Sequence, residues 1–105
     1  MAYQDRLLAN ININGQQINI VASKHAMERI EEREVDEFVV AGNVLALGKK
    51  RIAELHANND EAIIIDKDKD VSIVIGFGRS NQITIITVID KANVFVKENT
   101  QICNI

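Results

Sequence analysis

The sequence predicts an α+β fold: an N-terminal β-hairpin, two helices, then a C-terminal antiparallel β-meander packed on the helices. Three observations carry this expectation. Asn14-Gly15 separates two runs in which isoleucines alternate with polar residues. Ser23 and Asp36, both good helix caps, each precede a stretch suited to a helix. After Gly48, segments rich in β-branched residues alternate with short polar links.

In the hairpin, Ile11 and Ile13 lie before the turn and Ile18 and Ile20 after it. Asn and Gly both tolerate positive φ, so the pair forms a two-residue turn between strands at 7–13 and 16–21. The asparagine-rich partner face is left to solvent. Ser23 can accept a bond from an early helical N–H, and a helix follows over Lys24–Arg33. Val35-Asp36 breaks it, and Asp36 caps a second helix over about 37–47. That helix is apolar on most sides and is expected to be heavily buried. Gly42 permits close packing, and Gly48 stops the helix.

Strands are expected at Arg51–Ala57, Ala62–Asp66, Val71–Phe77, Ile83–Ile89 and Asn93–Lys97. Their links are short, which favours antiparallel neighbours. Ile83–Ile89 is apolar on both faces and belongs at the centre of the sheet.

The 105 residues fit one domain, 1–105, with 47% hydrophobic and 26% charged residues. Aromatic residues are only 4% of the chain, which argues against a sheet that reads RNA by base stacking. A net charge of −3 argues against tight binding to a bare duplex, yet leaves room for a local basic site. The one cysteine, Cys103, allows no intramolecular disulfide and suits a reducing, cytoplasmic setting. It has no cationic neighbour in sequence and reads as inert. No apolar run is long enough to span a membrane, and Met1–Arg6 has no signal-peptide pattern.

The chemically pointed segment is the first helix. At about 100° per residue, Arg29 lies about 40° and Arg33 about 80° from His25 around the axis. Ala26, Met27 and Ile30 form an apolar sector beside them, and Glu28, Glu31 and Glu32 an acidic one. The basic sector therefore borders the face that meets the sheet. Histidine can exchange a proton near neutral pH. Arginine neutralises charge developing on phosphate. Together they supply what metal-free RNA cleavage needs: a base for the 2′-hydroxyl and cations for the phosphorane. A plainer reading fits the same residues. His25–Glu28 and Arg29–Glu32 are i,i+3 pairs and Lys24–Glu28 an i,i+4 pair, which together make a solvated, salt-bridged face. The like charges of Arg29 and Arg33 at i,i+4 favour something anionic between them.

The stretch Ser23-Lys-His-Ala-Met-Glu-Arg-Ile-Glu-Glu-Arg33 resembles the DUF4258 family, whose pattern is Ser-x-His-Ala-x-x-Arg-Met-x-x-Arg-Gly-Ile. Ser23, His25, Ala26, Arg29 and Arg33 fall on it, Ile30 stands for the Met and Glu34 for the Gly. Ile86-Thr87-Val88-Ile89 resembles the family's late threonine-bearing strand. The similarity covers about residues 20–97. The resemblance implies a RelE-, barnase- and colicin-like ribonuclease fold. It implies a metal-independent site using His25, Arg29 and Arg33, with Thr87 positioning a phosphate or sugar oxygen.

Lys49, Lys50 and Arg51 either extend a phosphate track from Arg33 or are cations favoured at a helix C-terminus. Arg79, in a Gly76-Phe-Gly-Arg79 stretch read as a hairpin turn, is a further candidate for substrate contact. His56 reads as an edge-strand histidine, since two histidines without ligand spacing do not make a metal motif. No cofactor is called for. Ser80 lacks a hydrolase context, and Lys67–Asp70 is a solvated turn.

Two functions are thus expected: a toxin-like ribonuclease, with RNA and an antitoxin as partners, or a non-catalytic phage or prophage module that binds or inhibits another protein. A homodimer through the hairpin's free edge is also open.

Overall fold

The computed structural model describes residues 5–58, 61–79 and 81–105, the side chains of 78 and 79 excepted. It is α+β, with one six-stranded sheet in the order β1-β2-β5-β4-β3-β6. The strands are β1 (Arg6–Ile13), β2 (Gln16–Ala22), β3 (Ala62–Asp66), β4 (Val71–Arg79), β5 (Gln82–Ile89) and β6 (Gln101–Asn104). Helices α1 (Lys24–Glu32), α2 (Glu37–Ala46) and α3 (Lys49–Asn58) lie between β2 and β3 in sequence.

The hairpin forms as its turn chemistry requires. Asn14 and Gly15 have φ of 52° and 82°, and β1 pairs antiparallel with β2. Ile11 pairs with Ile18 and Ala9 with Ile20 on the core side, whereas Asn10–Asn19 and Asn12–Gln17 make the polar side. The meander β3-β4-β5 is antiparallel, and β5 and β4 are the two central strands. The sheet as a whole is mixed, because β2 pairs parallel with β5 and β3 parallel with β6.

Three expectations are corrected. Arg51–Ala57 is helical and belongs to α3, not to a strand. Its buried residues are Ile52 and Leu55, a helical spacing, and most of the rest are good helix formers. Gly48 does stop α2 at φ 83°, but its carbonyl accepts the Ile52 N–H at 3.1 Å, so a new helix starts at once. Asn93–Lys97 is not a strand. Both edges of β5 are already paired, so the chain leaves the sheet, crosses its face and rejoins as β6 on the far edge of β3. Gly76–Arg79 is not a turn but the end of β4, where Gly76 pairs with Thr84 and Arg79 with Gln82 around an irregularity in register.

All three helices cover one face of the sheet. Ala26, Ile30, Val40, Val44, Ile52 and Leu55 pack with Ile20, Ile64, Ile73, Ile75, Ile83 and Ile85 in one core. Helix α2 buries Val40, Ala41, Asn43 and Val44 but leaves Phe38 86% exposed, so it is less enclosed than its composition suggests. The opposite face carries Ile63, Val74 and Thr87 in one cross-strand row and is partly covered by residues 95–100.

Candidate functional site

Helix α1 is fixed at both ends to β5. At its start, Ser23 Oγ accepts the Ala26 N–H at 3.1 Å and donates to the Ile86 carbonyl at 3.3 Å. The Ser23 N–H donates to the Ile85 carbonyl at 3.1 Å, and Asp5 accepts the Lys24 N–H at 2.9 Å. Ile86 is the extra residue of a bulge: Ile75 pairs with Ile85 but Val74 with Thr87. At the other end, an Arg33 Nη1–H donates to the Val88 carbonyl, and its Nε lies 4.0 Å from Asp90.

Ala26 and Ile30 are buried under this helix, which sets the flank on which the basic residues lie. His25 is exposed at the first turn. The side chains of Arg29 and Arg33 are 29% and 31% exposed. Arg29 Nη1 meets Glu32 at 2.5 Å and Glu28 at 3.9 Å. The counter-charge of Arg29 is thus supplied by carboxylates of its own helix. These pairs are partly solvated, and such pairs contribute at most about 1 kcal/mol, so an incoming phosphate can displace them.

Arg33 also lines an open cleft of about 300 Å³ with Glu34, Asp36, Lys69, Asp70 and Asp90. Four carboxylates against two cations make this cleft a poor phosphate site. Glu34 and Asp36 follow α1 directly, but Asp70 and Asp90 come from the β3–β4 turn and the end of β5, far from α1 in sequence. No local pattern could have revealed Asp70 and Asp90 there.

The remaining sequence candidates do not join His25. Thr87 points to the face opposite the helices, into an apolar pocket with Ile63, Val74 and Phe95. Lys49 and Lys50 border a shallow depression with Ile13 and Asn14 at the hairpin turn. Because β2 runs parallel to β5, that turn lies at the starting end of β5, whereas Arg33 binds near its finish. Arg51 donates to the Cys103 sulfur at 3.7 Å and lies 3.6 Å from Glu54. The bond to Cys103 first, and the nearby Glu54 carboxylate after it, hold its guanidinium above the usual arginine range. Cys103 therefore does have a cationic neighbour, brought by the fold and not by sequence. The side chain of Arg79 lies outside the described residues. His56 sits on α3 with its ring edge-on to Phe77, centroids 5.9 Å apart. Among the described residues no three His, Cys, Asp or Glu groups are placed to hold a metal, and no helix is long and apolar enough to cross a membrane.

The chain matches no family model, and neither a curated protein nor a solved structure was found to match it.

Proposed function

We propose that the protein is a toxin-like, metal-independent ribonuclease in which His25 transfers the proton and Arg29 binds the scissile phosphate. The reading is carried by one observation: an exposed histidine at the first turn of α1, followed one turn later by a half-exposed arginine on the same flank. His25 takes the proton of the ribose 2′-hydroxyl, and the freed oxygen attacks phosphorus. Arg29 exchanges Glu32 for the phosphate and offsets the charge of the crowded phosphorane. The bond to the 5′-oxygen breaks, and that oxygen takes a proton from solvent water, leaving a 2′,3′-cyclic phosphate; His25 returns its proton to solvent. Arg33 contributes field more than contact, because it is committed to Val88 and Asp90.

The test is incubation of purified protein with total RNA in EDTA. Cleavage is expected, with a loss of about 10²-fold or more for His25→Ala. His25 is exposed, so this substitution leaves the fold intact. No cleavage by the wild type, or equal cleavage by the variant, removes the catalytic assignment.

A second reading, a non-catalytic module that binds or inhibits another protein, draws on the neutralised arginines and the acidic cleft around Arg33. Absence of nuclease activity together with stoichiometric capture of one protein favours it.

A further inference from the structure

The turn of the β1–β2 hairpin carries a chemistry of its own, separate from the α1 site. Asn14 is the only asparagine in the chain that is followed by glycine. The side-chain amide of an asparagine lies within reach of the next residue's peptide nitrogen, and glycine has no side chain to bar the approach. Both residues are exposed, and the space beside Gly15 is open, since a Cβ built there meets nothing within 4 Å. The reactive nitrogen is nevertheless engaged. The Gly15 N–H donates to Asn12 Oδ1 at 3.0 Å. Asn10 is exposed on the same polar side of the hairpin. It lies two residues, about 6.6 Å, further from the turn and out of reach of that N–H.

We infer that Asn14 is a site of spontaneous deamidation and that Asn12 sets its rate by holding the Gly15 N–H. In the reaction the Gly15 nitrogen gives its proton to hydroxide and attacks Cγ of Asn14. The bond from Cγ to Nδ2 breaks, and the departing nitrogen takes a proton from water and leaves as ammonia. The product is a cyclic imide. Water adds to one of its two carbonyl carbons, and the ring opens to aspartate or to isoaspartate. One water is consumed and one ammonia released, with no oxidant or reductant. The first step needs the proton that Asn12 holds, and a deprotonated nitrogen would face the lone pairs of Oδ1. The bond to Asn12 must therefore open before the ring can close. The new carboxylate forms beside Lys49 and Lys50, which border the same hollow as Asn14 and attract negative charge. In the isoaspartyl product the main chain runs through the former side chain and gains a carbon. The two-residue turn that fixes the register of β1 on β2 is then lost.

The test is a time course of the full chain at mildly alkaline pH, followed by peptide mapping with mass spectrometry. It reads the conversion of amide to acid at Asn14 and not activity, so it stands or falls apart from the ribonuclease assignment. The wild type is expected to convert slowly. Asn12→Ala should convert about two- to tenfold faster, the rate equivalent of one hydrogen bond. Asn12→Asp, whose carboxylate can still accept the Gly15 N–H, should convert no faster than the wild type. Asn10→Ala, which changes the same polar side without touching that bond, should leave the rate unchanged. An Asn14 that stays intact in both the wild type and Asn12→Ala overturns the inference, and so do equal rates in the two. An Asn10→Ala rate raised as far as that of Asn12→Ala also overturns it, because the cause is then a loosened hairpin and not the bond to Gly15.

Discussion

Glu34 has φ 52°, a left-handed conformation that an L residue adopts at a cost. The reason is the end of α1. The Val35 N–H reaches back to the Ile30 carbonyl at 3.0 Å, and the Glu34 N–H to Glu31 at 3.2 Å. These are the two bonds of a Schellman motif, whose C′ position glycine fills best. In the motif that the Ser23–Arg33 stretch resembles, glycine stands here, so the departure at Glu34 has a physical meaning. It adds backbone strain, and it sets a carboxylate at the negative end of a helix dipole. Both effects have the same sign. Glu34→Gly is expected to stabilise the protein by about 1 kcal/mol, net of the lost chain restriction. In a domain of this size that is a rise of roughly 4–8 °C in Tm by circular dichroism. An unchanged or lower Tm rejects the strain account.

At the scale of the element, α1 is a strut tied to β5 by Ser23 and Arg33, with Arg29 between them on an exposed pair. The two arginines look equivalent in sequence but are not equivalent in the fold. Arg33 makes a charged hydrogen bond to a main-chain carbonyl 55 residues away, whereas Arg29 makes an i,i+3 pair on its own helix. Arg33→Ala is expected to cost about 1.5–3 kcal/mol, and Arg29→Ala at most about 1 kcal/mol. Urea midpoints measure both, and equal losses contradict the distinction. The same contrast explains what the sequence could tell. Ser23, Asp36 and Asn14-Gly15 act on backbone within three residues of themselves, so α1, α2 and the hairpin were legible. Helix α3 was equally local but misread. Ile52 looked like a strand residue, while its partner three positions on, Leu55, marked a helix. The Arg33–Val88 and Arg51–Cys103 contacts join segments 55 and 52 residues apart, and no local rule predicts them.

For the whole molecule, the sequence foretold which strand would be central but not how the edges close. The two-sided apolar pattern of Ile83–Ile89 does place β5 in the interior of the sheet. That β6 would cross to β3 depends on which edges remain free once β5 is flanked by β2 and β4, a property of the assembled sheet. This topology has a consequence for stability. Strands β4 and β5 are each paired on both sides, and Ile73, Ile75, Ile83 and Ile85 are fully buried in the single core. β1 and β6 each have one free edge, and β6 is only four residues long. Amides of β4 and β5 are therefore expected to exchange with solvent last and together, through global unfolding, while those of β6 open earlier. Ile73→Ala removes about 2–5 kcal/mol from a total of about 5–15 kcal/mol. It should speed exchange in β4 and β5 by the same factor, because both rely on one opening event. If β4 accelerates and β5 does not, the sheet unfolds in parts, and the core that positions α1 is not one cooperative unit.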